Sequence, residues 1–228
     1  MYFDPTYVLV LLGALISMFA SFRVQTSFSK YSRMNNPRGL TAEQAAYRIL
    51  QDAGIYDVHI ERIRGNLTDH YSPSEKILRL SDSVYGSSSV AAIGVAAHEC
   101  GHAIQHQVGY GPLTLRSFAV PIANIGSKLS WPLILLGLAL GFTGLSQAGV
   151  ILFTFVVFFQ LITLPVEFNA SSRAVRLLSE TGILYEEELK QTRKVLSAAA
   201  LTYVAAAASS LLQLLRLVLL FGNRRRDG

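Results

Sequence analysis

The chain contains a single cysteine, Cys100, so no internal disulfide can form. A lone thiol among small residues packs as filler rather than acting as a nucleophile, and such sparing use of cysteine suits a reducing compartment. Charge is also scarce. Asp, Glu, Lys and Arg make up 15% of the 228 residues, against roughly 25% in soluble domains, and none of them occurs between 131 and 166. The formal charge of +5 is spread along the chain without basic and aromatic interleaving, which excludes a nucleic-acid surface. Internal repeats and low-complexity segments are absent. Imidazole is rare too: the chain has five histidines, and three of them fall in VAAHECGHAIQH, residues 95–106.

Apolar residues are concentrated in YVLVLLGALISMFASF (7–22), WPLILLGLALGFTGL (131–145), VILFTFVVFFQLITLPV (150–166) and AAALTYVAAAASSLLQLLRLVLLFG (198–222). The first tract has Asp4 and no base before it, and no A-x-A-like cleavage site after it, so it reads as an uncleaved anchor. Lys and Arg number eleven from Arg23 to Lys128, none from 131 to 166 and five from 167 to 197. The positive-inside rule therefore puts 23–130 and 167–197 in the cytoplasm and the GFTGLSQAG turn outside. Were the last tract a span, Arg224, Arg225 and Arg226 would lie outside. The expectation is a helix to about Ala208, a break at Ser209 and Ser210, then an interfacial helix with Arg216 snorkelling. The organisation expected is an anchor (1–23), a cytoplasmic domain (24–130), a transmembrane hairpin (131–166), cytoplasmic-side helices (167–208) and an interfacial helix with a basic tail (209–228).

Within the cytoplasmic part, FSKYSRMNNPRG reads as a polar linker. Thr41 and Gln44 form a capping-box pattern for an amphipathic helix that stops at Gly54. Short β-branched and leucine bursts between 58 and 85, separated by Gly65-Asn66 and Ser72-Pro73-Ser74, predict two or three strands. The last, near Lys76 to Leu80, is expected at the sheet edge, open to pairing with a peptide backbone. Ser87, Ser88 or Ser89 then caps a helix that runs to about Gln107 and is stopped by Gly109 and Pro112.

His98, Glu99 and His102 on that helix spell H-E-x-x-H. Residues four apart lie on one helical face about 6 Å apart along the axis, so both imidazoles can reach one tetrahedral ion. Glu99 sits about 100° further round, where it can meet a water on that ion without being a ligand. Five His and nine Glu in this chain would produce roughly 0.004 such matches by chance. Two structural histidines would instead need partners amid Ala, Val and Ile, and a metal supplies that partner. His106 is about 12 Å from His98 along the axis, too far to share the ion, and reads as an outer or surface residue.

A third ligand must come from elsewhere, leaving the fourth position for water. Glu167 is favoured: it follows a membrane tract directly in LPVEFNASSRAV, where Pro165 can start a helix and a carboxylate is costly unless used. His59 and His70 are the rivals. For a donor to the tetrahedral oxyanion the candidates are Tyr203, His70 and Tyr71, with Arg173 as an outside option.

The runs LTDHYSPSEKILRLSDSVY, VAAHECGHAIQH, LPVEFNASSRA and LSAAALTYVAAA together resemble the YugP-type family of neutral zinc metallopeptidases of bacterial membranes, over nearly the whole chain. The apolar hairpin between H-E-x-x-H and Glu167 is similar in layout to HtpX-type and CaaX-processing membrane proteases. The resemblance implies a gluzincin-like site with Zn2+ on His98, His102 and Glu167 and Glu99 as the catalytic carboxylate. Where that type has E-F-D-A-S, this chain has Asn169, and where the HtpX pattern puts Asp four after the glutamate, this chain has Ser171. Orientation of an imidazole then falls to a neutral oxygen.

The fold class expected is α+β and mainly helical, an integral membrane protein with a zincin-like domain, a small sheet and the H-E-x-x-H helix. The function implied is hydrolysis of protein or peptide substrates, membrane proteins among them, at the cytoplasmic face of the bacterial plasma membrane. The alternatives are a zinc-bearing membrane scaffold with a vestigial site, which intact Glu99 argues against, and a transporter, which spans free of charge disfavour.

Overall fold

A computed structural model describes residues 4–221. In chain order the elements are α1 (Tyr7–Tyr31), α2 (Ala42–Asp52), β1 (His59–Ile63), β2 (His70–Ser72), β3 (Ile77–Ser81), α3 (Val90–Gln107), α4 (Gly111–Ala139), α5 (Thr143–Glu180) and α6 (Glu186–Phe221). The protein is mainly helical with one small sheet, as expected. It divides into two compact units, one made of Met1–Ser21, Thr114–Pro165 and Thr202–Gly228, the other of Phe22–Leu113 and Val166–Leu201.

The second unit is built around α3. Its sequence is rich in Ala and Gly, and Val90, Ala91, Ala92, Ile93, Ala96 and Ala97 are all fully buried, so neighbours approach closely on several sides. A Cβ on Gly94 would stand 2.8 Å from Thr192 Cγ2 of α6. The amphipathic face of α2 (Ala42, Ala45, Ala46, Ile49, Leu50) joins Leu78 and Leu80 of β3, Ala174 and Leu178 of α5 and Val195 and Leu196 of α6 in the same core. Ser89 is the cap of α3, its hydroxyl accepting from Ala92 N at 3.2 Å.

Two expectations for this unit are corrected. The polar linker does not begin at Phe28: α1 continues to Tyr31 because Phe28 and Tyr31 are buried in this core. Beyond it Asn36 is buried and donates from Nδ2 to Leu40 O and Ser88 O, both at 2.7 Å, which ties 32–40 to the entrance of α3. Nor is the last strand an edge. The sheet order is β1-β3-β2, with β3 parallel to β1 (His59 opposite Ile77) and antiparallel to β2 (Tyr71 opposite Leu78). Flanked on both sides, β3 has no free backbone ladder to offer a peptide.

The first unit holds apolar helices. Segments α4 and α5 form a hairpin that turns at Gly141 (φ +66°), with Phe142 N donating to Gly137 O at 2.9 Å. Small residues let their backbones close up: a Cβ on Gly126 would meet Leu152 O at 2.8 Å, and one on Gly149 would meet Ser130 O at 2.7 Å. Pro165 does not start a helix but lies inside α5, which runs unbroken to Glu180.

The break expected at Ser209 and Ser210 is likewise corrected, since α6 is continuous to Phe221. Instead of interrupting the helix, Ser209 serves a helix contact. Its hydroxyl donates to Gly13 O of α1 at 2.7 Å and lies 2.8 Å from Ser17 Oγ. Arg216 does not snorkel free either: it reaches Asp4 Oδ2 at 3.3 Å and Thr6 Oγ1 at 3.2 Å and stacks 4.2 Å from the centroid of the Tyr7 ring. Among the described residues α1, α4, α5 and α6 are long and apolar enough to cross a membrane. The basic tail Arg224 to Arg226 lies outside the described residues.

Candidate metal centre

Each of two helices offers one turn of polar side chains. On α3 these are His98 and His102, and on α5 Glu167 and Ser171, again four residues apart and so on one face. Gly101 lets the two helices meet, because a Cβ there would lie 2.7 Å from Ala170 O. With the backbones that close, Glu167 Oε2 stands 3.2 Å from His98 Nε2 and 3.6 Å from His102 Nε2.

His98, His102 and Glu167 form a group whose ligand atoms all lie within 4.8 Å of one another. Two ligands about 2.0–2.1 Å from a tetrahedral zinc stand roughly 3.3–3.4 Å apart, so the two short separations are those of tetrahedral edges. The donor set, two imidazole nitrogens and a carboxylate oxygen, suits zinc.

The outer nitrogens are occupied by other partners. Ser171 Oγ is 3.1 Å from His98 Nδ1, and Gln105 Oε1 is 3.0 Å from His102 Nδ1. Both imidazoles thus turn Nε2 inward, and both are oriented by neutral oxygens. Gln105 Nε2 donates to Val166 O at 2.8 Å and to Asn169 Oδ1 at 3.0 Å, and Arg173 Nε donates to the same Asn169 oxygen at 2.8 Å.

Charge in this cluster is confined. Glu167 is 2% exposed and His102 9%, and a buried charge without compensation costs several kcal/mol. Burial opposes protonation of His102, but hydrogen bonding to Glu167 and the charges of Glu99 and Glu167 outweigh it and raise its pKa. The pocket thus favours positive charge at this point, as a proton or as a divalent cation. Glu99 is buried beside it at 8% exposure. Its carboxylate makes no hydrogen bond with other described residues, and its charge acts on His102.

The remaining candidates are placed elsewhere. His59 and His70 lie on β1 and β2; the His70 ring bonds Thr68 O through Nδ1 at 2.9 Å. Neither belongs to the group of possible ligands. His106 pairs through Nδ1 with Tyr71 OH at 2.9 Å, beside a cavity of about 280 Å³. Tyr203 stands on α6 in the first unit, 37% exposed. Cys100 is fully buried, its thiol directed at Ala46 O, and burial pushes its pKa up, so it is inert packing. Gln105 went unnoticed in the sequence, where the available signal is a glutamine three residues after a ligand histidine; only the structure shows it fully buried.

Comparison with known proteins shows the family. A family model described as "Putative neutral zinc metallopeptidase" matches residues 6–222. The chain is similar to the "Putative membrane protease YugP" of Bacillus subtilis (strain 168), 49% identical over 222 residues that cover 97% of this chain and 99% of that protein. No solved structure matches significantly.

Proposed function

Because the chain belongs to the neutral zinc metallopeptidase family, we propose that it hydrolyses peptide bonds with a gluzincin-type site: His98, His102 and Glu167 hold zinc, and Glu99 is the catalytic base. The observation that carries this reading is the convergence of His98 Nε2 and His102 Nε2 on Glu167 Oε2 next to a buried Glu99 whose charge acts on His102. Zinc held there supplies a Lewis acid that makes water nucleophilic near neutral pH and polarises a carbonyl.

The chain's own residues do the rest. Glu99 accepts a proton from the attacking water and returns it to the departing amine. Ser171 and Gln105 hold the imidazoles in register. His70 and Tyr203 are our candidates for the donor to the oxyanion, His70 belonging to the same unit as the ligands. Substrates are proteins or peptides, membrane proteins included.

The chain is a multi-pass protein of the bacterial plasma membrane in this reading, with a zincin-like domain in the cytoplasm. Eleven basic residues from Arg23 to Lys128 and five from 167 to 197 favour that side. The contact of Ser209 with Gly13, and of Arg216 with Asp4 and Tyr7, favours a last helix that crosses beside α1 rather than lying along the surface.

The test is zinc content by elemental analysis of the purified chain, together with casein cleavage with and without chelator. One zinc per chain and chelator-sensitive cleavage support the proposal. Zinc without cleavage of any protein would leave a metal-bearing scaffold instead.

A further inference from the structure

Among the polar side chains around the metal centre, Gln105 is the one with no solvent exposure at all. Its amide can be read without seeing hydrogens, because the network ends in a group that has only donors. Arg173 Nε can only donate, so the Asn169 atom 2.8 Å from it is the oxygen. The Gln105 atom lying between that oxygen and the carbonyl of Val166 faces two acceptors, at 3.0 and 2.8 Å, and must be the NH2 group. The other end of the amide, Oε1, therefore points at His102 Nδ1 from 3.0 Å. An amide oxygen only accepts, so Nδ1 carries the proton of the neutral ring.

We propose that Gln105 is a positioning residue that fixes the tautomer of His102, keeping its proton on Nδ1 and its Nε2 lone pair aimed at Glu167. Val166 O and Asn169 Oδ1 on α5 hold the glutamine by accepting from its NH2 group. The lone pair then confronts a carboxylate oxygen at 3.6 Å, an arrangement that is repulsive until a cation or proton stands between them. Orientation of a ligand imidazole by a group on its other nitrogen is worth about 10–100-fold in metal affinity. The zinc part of this inference rests on the reading under Proposed function, whereas the tautomer part does not.

The full-length chain labelled with 15N-histidine, in detergent micelles and free of metal at a pH above the titration of His102, reports the tautomer in long-range proton–nitrogen spectra. The wild-type protein shows His102 protonated at Nδ1. In Gln105→Met the Nε2-protonated form takes over, and zinc affinity measured against a chromophoric chelator falls about 10–100-fold. Gln105→Glu retains an acceptor for the Nδ1 proton, so it keeps the wild-type tautomer and remains readable should the Met variant fail to fold. Arg173→Met leaves Val166 O holding the glutamine, and the His102 tautomer is unchanged. A wild-type His102 protonated at Nε2, or a Met variant with unaltered tautomer and zinc affinity, overturns the proposal. If the wild type shows the Nδ1 proton yet binds no zinc, the peptidase reading fails and the tautomer assignment stands.

Discussion

Gly101 and Ala170 hold α3 and α5 together at backbone distance: a Cβ on the glycine would stand 2.7 Å from the alanine carbonyl oxygen. This glycine lies between Glu99 and His102 in the motif. The close approach it allows brings Glu167 within reach of both imidazoles.

Gly101→Ala should therefore push the helices apart. Overpacking of this kind costs about 1–3 kcal/mol, read as a lowered melting temperature. Zinc affinity should fall more than stability alone explains, because the added methyl meets backbone, which cannot rotate away. A variant with wild-type melting and zinc affinity would show that the contact is not needed.

Glu99→Gln should keep one zinc per chain and lose hydrolysis by roughly 10²–10⁴-fold, the range of a positioned base. The side chain makes no hydrogen bond to described residues, so the amide is accommodated without breaking a network. Full activity in this variant would refute the assigned base.

Glu167→Ala should abolish stoichiometric zinc binding, measured by elemental analysis after dialysis. It removes the carboxylate on which His98 Nε2 and His102 Nε2 converge. Retention of zinc at wild-type affinity would mean that the third ligand lies elsewhere, with His59 and His70 the next residues to test.

The effect of pH should change sign with metal. The His102 pKa is raised in the folded chain above its ordinary 6.5. In the metal-free protein its contribution to stability is thus fully present below pH 6.5 and is lost as pH rises through the raised folded value. With zinc, protons compete for Nε2, so affinity rises over the same window. Melting curves across that range, with and without zinc, should slope in opposite directions.

Membrane orientation can be read with thiol labelling, since the chain's one cysteine is buried and its thiol is held protonated. In intact cells an impermeant reagent should modify Thr143→Cys, and should reach Asn66→Cys only after permeabilisation. The reverse pattern would place the metal centre outside.

Much of the local structure was legible because its signals are local. The Gln44 side chain does accept from Thr41 N at 3.1 Å, Ser89 caps α3, and three strands lie where the β-branched bursts fall. The failures came where a distant partner overruled a local signal. Phe28 and Tyr31 extend α1 because a core receives them, and β3 became central because β1 and β2 flank it. Ser209, which suggested a break, is satisfied by Gly13 nearly two hundred residues away.

The amino-acid order alone determined that His98 and His102 share a helical face with Glu99 beside it, since a period of 3.6 residues allows nothing else once the helix forms. It also marked the long apolar tracts, through the cost of exposing them. Which carboxylate meets the imidazoles, and which hydroxyl turns His98, was decided only in three dimensions. Glu167 and Ser171 sit on α5, 69 and 73 positions along the chain from His98, and only the packing of α5 against Gly101 brings them to hydrogen-bonding range.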